Sequence, residues 1–358
     1  MKGYYLISYE PPPNTFTLGG KEVFNQLKVN VKRKNVRVHT RDGFYSSLEN
    51  EKDAALPAEH SLQNAIFSPF LNADINVNMA AGYVRDKKAG YIIHSWLHLE
   101  PKDIKIAETE DGGARIDLEM VCLTSDINGY VHDFKHVAHT YRIKPENKSE
   151  NIAWIAKHGI RFSLLLPVKK PGSYYVHTAV QDTESGKVGS AYQFVEIPDL
   201  DKKGLALSNV FMIAGVEDFK WLLYDAVKET EEGLFFPVFQ EEETRSPALR
   251  TYVSGDKLQT MAILYNADEK AIADAEIEMQ SVLYRDGKEF LRGEPRPIKP
   301  ASQGGVVNPN GFPILQALTI GPNFTPGEYV LQLIATDKKN SKKQEGIATQ
   351  ALSFTVVE

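Results

Sequence analysis

Four side chains that could bind a metal lie within eight residues of one another: His132, Asp133, His136 and His139. Imidazole and carboxylate groups are the ligands that zinc and other transition metals prefer. On a helix the three histidines would share one face. The stretch follows the turn dipeptide Asn128-Gly129, however, so we expect a strand, on which His132 and His136 point one way and His139 the other. The pattern favours structural or solvent-facing histidines over a metal site.

No local signature of catalysis accompanies these histidines. The sequence contains no phosphate-binding glycine loop, no H-E-x-x-H and no G-x-S-x-G. A calcium loop is disfavoured at 126–130, because Tyr130 stands where the third oxygen ligand should fall. His94 and His98 flank Trp96 on one predicted strand face, where structural histidines are again the simpler interpretation. We therefore expect a protein that is not an enzyme and that needs no cofactor.

The elements that must position these residues follow an internal repeat. The segment 170–182 (KPGSYYVHTAVQD) matches 325–337 (TPGEYVLQLIATD) at an offset of 155, and 117–121 matches 276–280 at an offset of 159. Each copy then carries a turn dipeptide, Asn128-Gly129 or Asp286-Gly287. Similar offsets over separate motifs indicate two copies of one folding unit.

Short alternating segments with Gly and Pro between them predict an all-β protein. In the first copy we expect strands at 75–84, 91–100, 160–166, 173–182 and 188–197, with a hairpin over 116–143. The second copy repeats the order from 205–213, through 257–265, to 347–357. Such a series indicates tandem antiparallel sandwiches of the immunoglobulin or fibronectin III type. Alternating apolar residues at 27–31 and 36–38 predict a preceding β-hairpin, in which the basic run 28–41 forms a solvated face.

One stretch departs from the strand pattern. Apolar residues between 217 and 229 recur at helical spacing, and the acidic, aromatic segment 231–243 follows. We expect a helix that caps the second sandwich, or one that docks a partner. A connection this long exceeds the usual 4–6 residues, so the contact residues predicted for a partner are Trp221, Phe235, Phe236 and Phe239.

Composition excludes several classes of protein. The formal net charge is −6, which argues against a dedicated nucleic-acid binder. No apolar run reaches the roughly 20 residues that span a membrane. The single cysteine, Cys122, cannot form an internal disulfide. No export signal is visible at the start of the chain, where a strand begins at once, and we expect a piece of a longer protein.

Three stretches resemble the von Willebrand factor A-related domain family of acidobacterial and similar bacterial proteins. They are YYLISYEPP at 4–12 continued by 27–45, the stretch 165–200, and 246–267 together with 325–337. The resemblance implies the tail of an A domain followed by two sandwiches, and an envelope or exported location. The family's A domain can hold a metal through D-x-S-x-S, which does not occur in this chain, so no metal site carries over.

These observations predict a β-hairpin segment at 1–47, a linker at 48–70, a first sandwich at 71–199 and a second at 200–358 with a helical insertion near 217–243. The function we expect is a non-catalytic interaction, scaffold or adhesion-type module, whose partner is another protein, the A domain or a second copy. A carbohydrate- or ligand-binding module with Tyr175, Trp96 or Trp221 as stacking platforms is the alternative. A metal-dependent hydrolase built on His132, His136 and His139 ranks last.

Overall fold

The fold is described from a computed structural model, which covers residues 23–32, 43–46, 58–68, 70–86, 90–127, 129–202, 204–213, 236–237, 246–298, 311–340 and 344–358. Three α-helices lie in these residues: α1 (Ala58–Phe67), α2 (Lys148–His158) and α3 (Glu269–Ala273).

The strands before the second sandwich are β1 (Val23–Gln26), β2 (Gly43–Ser46), β3 (Val77–Asp86), β4 (Gly90–Leu99), β5 (Ala107–Glu108), β6 (Ala114–Asp126), β7 (Val131–Ile143), β8 (Ile160–Val168), β9 (Gly172–Asp182) and β10 (Val188–Ile197). Those that follow are β11 (Ala206–Leu207), β12 (Phe211–Met212), β13 (Phe236–Pro237), β14 (Thr251–Tyr252), β15 (Lys257–Tyr265), β16 (Ile277–Arg285), β17 (Lys288–Arg292), β18 (Arg296–Pro297), β19 (Phe312–Thr319), β20 (Gly327–Asp337) and β21 (Ile347–Val356).

Both large units are antiparallel sandwiches, which confirms the predicted fold class. In the first, β3, β4 and β8 form one sheet, to which β13 adds beside β8. The strands β7, β6, β9 and β10 form the other, with the short β5 also paired to β6. In the second, β11 and β12, then β15 and β19, face a sheet of β17, β16, β20 and β21. The two strand orders are the same. Each unit therefore buries one face of each sheet against the other, as immunoglobulin-like sandwiches do.

The register of the strands reproduces the offsets of the sequence repeat. Leu118 on β6 lies opposite Asp182 on β9, and Ile277 on β16 lies opposite Asp337 on β20. Leu118 and Ile277 are 159 residues apart along the chain, and Asp182 and Asp337 are 155 apart, which are the offsets of the two sequence motifs. The repeat is therefore a repeat of hydrogen-bonded partners as well as of residue types.

A tyrosine closes the same corner in each copy. Where the chain crosses from β8 to β9, the Tyr174 hydroxyl donates to the Lys170 carbonyl oxygen at 2.6 Å. Where it crosses from β19 to β20, the Tyr329 hydroxyl donates to the Thr325 carbonyl oxygen at 2.9 Å. Both rings are buried. This i to i−4 bond is the tyrosine corner of immunoglobulin-like sandwiches.

The predicted hairpin turn of the second copy is present. Asp286 and Gly287 have φ angles of 49° and 73°, as a two-residue turn with two left-handed residues requires. In the first copy Gly129 has φ 84°, and Asn128 lies outside the described residues. Among the described residues of the predicted 1–47 segment, β1 and β2 pair as a hairpin, but 27–32 form no strand. Val29 and Val31 are about half exposed, so their alternation has no surface to pack against.

Part of the predicted linker is a helix. The segment 48–70 lacks a sustained period, yet 58–67 forms α1, whose Leu62, Ala65 and Ile66 pack against the outer face of the β6–β9 sheet. Leu123 and Ala179 are two of the residues they cover. Three apolar residues at i, i+3 and i+4 suffice once a sheet face is available to bury them. Helix α2 was also absent from the prediction, because its sequence is mostly polar.

We predict that the tyrosine corners contribute equally to the two sandwiches. Tyr174→Phe and Tyr329→Phe each remove one partly buried hydrogen bond and should lower the free energy of unfolding by about 1 kcal/mol. Tyr174→Ala and Tyr329→Ala also remove a buried ring and should cost about 3–5 kcal/mol. Urea unfolding measures all four values. Losses below about 0.5 kcal/mol in both alanine variants would contradict the equivalence of the corners.

Candidate functional site

The two sandwiches meet in one continuous hydrophobic core. Phe211, Met261, Ile263 and Tyr265 belong to the second sandwich by sequence, but they lie in the same buried cluster as the residues of the first. The Trp96 ring packs edge-on against Phe211, with 5.3 Å between ring centres. We call this contact surface, formed around Tyr83, Trp96, Phe211 and Tyr265, the junction.

Hydrogen bonds fix the register of the junction. The Tyr83 hydroxyl donates to the Leu207 carbonyl oxygen at 2.6 Å, and the Tyr83 N–H donates to Asn209 Oδ1 at 3.1 Å. The Arg85 N–H donates to the Tyr265 hydroxyl at 2.9 Å. Burial raises the pKa of both tyrosines. Because buried polar groups that lose a partner are costly, these bonds permit one orientation of the two sandwiches.

Close backbone approach adds a steric constraint at Gly82. A Cβ atom at this position would lie 2.5 Å from a Phe211 ring carbon and 2.6 Å from Cβ of Asn209. The first strands of the second sandwich therefore cross β3 where only glycine fits.

The connection between the sandwiches is itself held in place. The Leu200 N–H donates to the Tyr91 hydroxyl at 3.0 Å. The Asn266 side-chain amide lies 3.0–3.1 Å from the carbonyl oxygens of Leu200, Lys202 and Gly204. Arg85 forms a 2.6 Å ion pair with Asp201. Inter-domain motion is the default for two linked domains, and these contacts oppose it.

Two buried histidines lie on β4, the strand that carries Trp96. His94 is 2% exposed, stacks on Trp96 at 3.9 Å between ring centres, and places Nε2 2.6 Å from Ser163 Oγ. Among the described residues its Nδ1 has no hydrogen-bond partner. Burial lowers the pKa of His94 to about 3. Burial, with Arg161 nearby, lowers the pKa of His98 to about 4. Both imidazoles are therefore neutral at pH 7, as structural histidines should be.

The predicted metal candidates are separated. His136 Nε2 lies 2.6 Å from Glu119 Oε1, on the outer face of its sheet, and His139 packs against Phe162 on the inner side. This opposition was expected. His132 was expected beside His136, but a β-bulge between β6 and β7 shifts the register there. The His132 ring contacts Tyr174 instead, and its Nε2 lies 3.8 Å from Asp126 Oδ2.

The bulge thus explains why simple strand alternation misplaces His132. No group of three or more His, Cys, Asp or Glu side chains arranged to hold a metal occurs in the part of the chain that the structure describes. In the same part, none of the helices is long and apolar enough to cross a membrane.

Most of the predicted contact residues fall outside the described residues, including Trp221, Phe235, Phe239 and the predicted helix at 217–229. Phe236 lies in β13, which pairs antiparallel with β8 so that Phe236 is opposite Ser163 and Pro237 opposite Phe162. The insertion of the second sandwich therefore reaches the edge strand of the first. These contact residues stay a prediction.

Two of the three proposed stacking platforms, Trp96 and Tyr175, have described positions, and Trp221 lies outside the described residues. Trp96 is 7% exposed beneath Phe211, so the prediction that it is an exposed platform is wrong. Tyr175 is half-buried and lies edge-on to Phe194, with 62° between ring planes. Sugar stacking requires an exposed aromatic ring face, and neither of these two rings offers one.

Sequence reasoning missed the junction. It predicted the strands that carry Tyr83, Phe211 and Tyr265. A strand with two apolar faces has the same sequence pattern whether a helix, a loop or another domain covers its second face. The available signal in the sequence was β4, which carries apolar residues on both faces. In the structure all nine residues of Tyr91–Leu99 are buried.

Comparisons with known proteins add little beyond the fold. No protein-family model and no curated protein matches the chain. Among solved structures, it is similar to the Clostridium thermocellum CbhA fibronectin(III)-like modules, at 8% sequence identity over 74% of this chain and 84% of that one, with a TM-score of 0.19. So low a score supports no argument, and the sandwich assignment rests on strand order and the two tyrosine corners.

We predict that His94 makes the protein sensitive to acid. Its folded-state pKa of about 3 lies below the ordinary value of 6.5, so its contribution is complete above pH 6.5 and is lost as the pH falls toward 3. Between pH 7 and pH 5 the wild type should lose about 2 kcal/mol more unfolding free energy than His94→Gln.

Denaturant unfolding at the two pH values measures this difference. Phe211→Ala is the matched control, because it weakens the same junction and keeps the imidazole; it should retain the response of the wild type. An equal loss in the wild type and in His94→Gln would contradict the assignment.

Proposed function

We propose that the chain is a non-catalytic interaction module that holds two sandwiches in a fixed relative orientation. The observation that carries this proposal is the junction, where Tyr83, Trp96, Phe211 and Tyr265 share one core and three hydrogen bonds cross between the sandwiches. An enzyme's site would need convergent reactive groups, whereas a scaffold needs a defined geometry.

Fixed geometry favours binding because a preorganised surface has less conformational entropy to lose when a partner docks. Loops at the ends of a sandwich are free to vary without disturbing the core, which is why such folds commonly carry binding surfaces there. A rigid pair extends this principle, since loops of both units keep one arrangement in space.

The insertion between β12 and β14 is the proposed contact surface. Its β13 segment pairs with β8, the edge strand of the first sandwich. The residues proposed to contact the partner are Trp221, Phe235, Phe236 and Phe239. The proposed partner is a protein, either a separate chain or an A domain of the kind the resemblance implies. An adhesion-type role in the cell envelope is part of the same proposal and is supported by that resemblance alone.

The two other candidate functions have less support. A carbohydrate-binding module would use Trp96, which is covered, and Tyr175, which is half-buried. A metal-dependent hydrolase would need His132, His136 and His139 to meet at one point, and they face three different sets of neighbours.

The proposal predicts that changes in the insertion remove a protein partner. Crosslinking of the purified chain in extract of its native cells should recover a specific partner, and Phe235→Ser/Phe236→Ser should lose it. Phe67→Ser/Phe70→Ser is the matched control, because it also removes two phenylalanine rings, which are 66% and 64% exposed outside the insertion. An unchanged partner set in the insertion variant, with folding intact by circular dichroism, would overturn the proposal.

A further inference from the structure

Strand β7 is a long strand at the edge of its sheet. All of its residues except His132 pair with β6 on one edge, and no strand within the described residues pairs with the other edge. The Phe134 N–H bonds to the Asp133 carboxylate at 2.9 Å, so this amide is not used by β6 and faces the free edge. An unpaired edge is a template for another strand.

The sequence of this edge is complementary to itself. Read in either direction from Phe134, residues 131–137 give Val-His-charged-Phe-charged-His-Val. The charged pair is Asp133 on one side and Lys135 on the other. When two such strands run antiparallel with Phe134 opposite Phe134, the Asp133 of each strand lies opposite the Lys135 of the other, which gives two opposite-charge pairs. Opposite charges across a strand pair stabilise it, and like charges destabilise it.

We infer that β7 is a self-association surface that pairs with β7 of a second copy around Phe134. Such a contact is isologous, because both copies use the same residues and a two-fold axis passes through the pair of Phe134 residues. The two five-stranded sheets that contain β7 would then form one continuous sheet across the two copies. The inference concerns a different surface from the insertion and does not depend on the proposed function.

The exposed groups at this edge fit such a pairing. The Phe134 side chain is 53% exposed although it is large and apolar, and Tyr130 beside the strand is 68% exposed. Directly opposite residues on antiparallel strands point to the same face, so the two Phe134 rings would cover each other. Each Asp133 carboxylate would turn from the Phe134 N–H to Lys135 of the second copy, and the N–H would donate to the opposing main chain.

The bulge limits the length of the pairing. The register shift that turns His132 inward lies just before Asp133, so the regular pairs are those centred on Asp133, Phe134 and Lys135. An interface of this size falls in the weak class that buries less than about 1,200 Å². We expect a dissociation constant of roughly 10–1,000 μM.

The equivalent strand of the second sandwich provides an internal contrast. Strand β17 is also an exposed edge strand with a phenylalanine, Phe290, at its centre. Pairing of β17 with itself about Phe290 would set Lys288 opposite Arg292, which is a like-charge pair. Charged residues on an edge strand ordinarily prevent pairing. Of these two strands, β7 places opposite charges across from each other on self-pairing, whereas β17 places like charges there.

A charge exchange tests this inference. Sedimentation equilibrium of the full chain should show a monomer–dimer equilibrium that weakens as salt is added. Asp133→Lys and Lys135→Asp, each of which creates two like-charge pairs, should raise the dissociation constant at least tenfold. The double variant Asp133→Lys/Lys135→Asp restores both opposite-charge pairs and should return to within about threefold of the wild type.

Lys288→Glu on β17 is the control and should leave the dimer unchanged. A wild type that is monomeric throughout this concentration range would overturn the inference, as would a double variant no tighter than the single ones. Denaturant unfolding distinguishes loss of the dimer from loss of the fold, because the β6–β7 pairing is inside each copy. None of these variants touches the insertion, so the outcome is independent of partner capture there.

Discussion

The structure depends on the burial of Trp96, Phe211, Tyr83 and Tyr265 in one core that belongs to both sandwiches. The outer face of β4 would be exposed in an isolated first sandwich, and it carries Trp96 and the buried His94. Covering that face with Phe211 gives the second sandwich its position. Gly82 allows the close approach, and the bonds from Tyr83 and to Tyr265 then select one orientation from those that packing alone would tolerate. The burial of His94 beside Trp96 and the contacts of the connection at Leu200 follow from that position.

The two sandwiches share a frame and differ in what covers it. Strand order, the register of β6 with β9 and of β16 with β20, and the corners at Tyr174 and Tyr329 are the same in both. In the first sandwich, α1 covers the outer face of the sheet that contains β6 and β9. The other sheet of that sandwich, which contains β3 and β4, is covered by the second sandwich. Function in such folds resides in surfaces rather than in the frame. The differences between the copies, including the insertion and the β7 edge, are therefore where activity should be sought.

Local chemistry made much of this fold predictable. Asp286-Gly287 predicted a tight hairpin, and the match between 170–182 and 325–337 predicted equivalent positions for Tyr174 and Tyr329, which the structure shows as two equivalent corners. Three features depended on tertiary contacts that leave no local pattern in the sequence. Helix α1 forms because a sheet face is there to bury Leu62 and Ile66, His132 turns inward because of a bulge, and Trp96 is hidden because Phe211 arrives from the other sandwich. The candidate contact residues were predicted from the length and composition of the insertion, and only Phe236 has a described position.

The central claim is that the shared core makes the two sandwiches one cooperative body. Differential scanning calorimetry of the full chain tests it most directly, since the ratio of van't Hoff to calorimetric enthalpy reports the size of the unit that unfolds. The account predicts a single transition with a ratio close to 1 at pH 7. Two resolved transitions, each carrying about half of the total enthalpy, would show that the sandwiches unfold independently and would contradict the account.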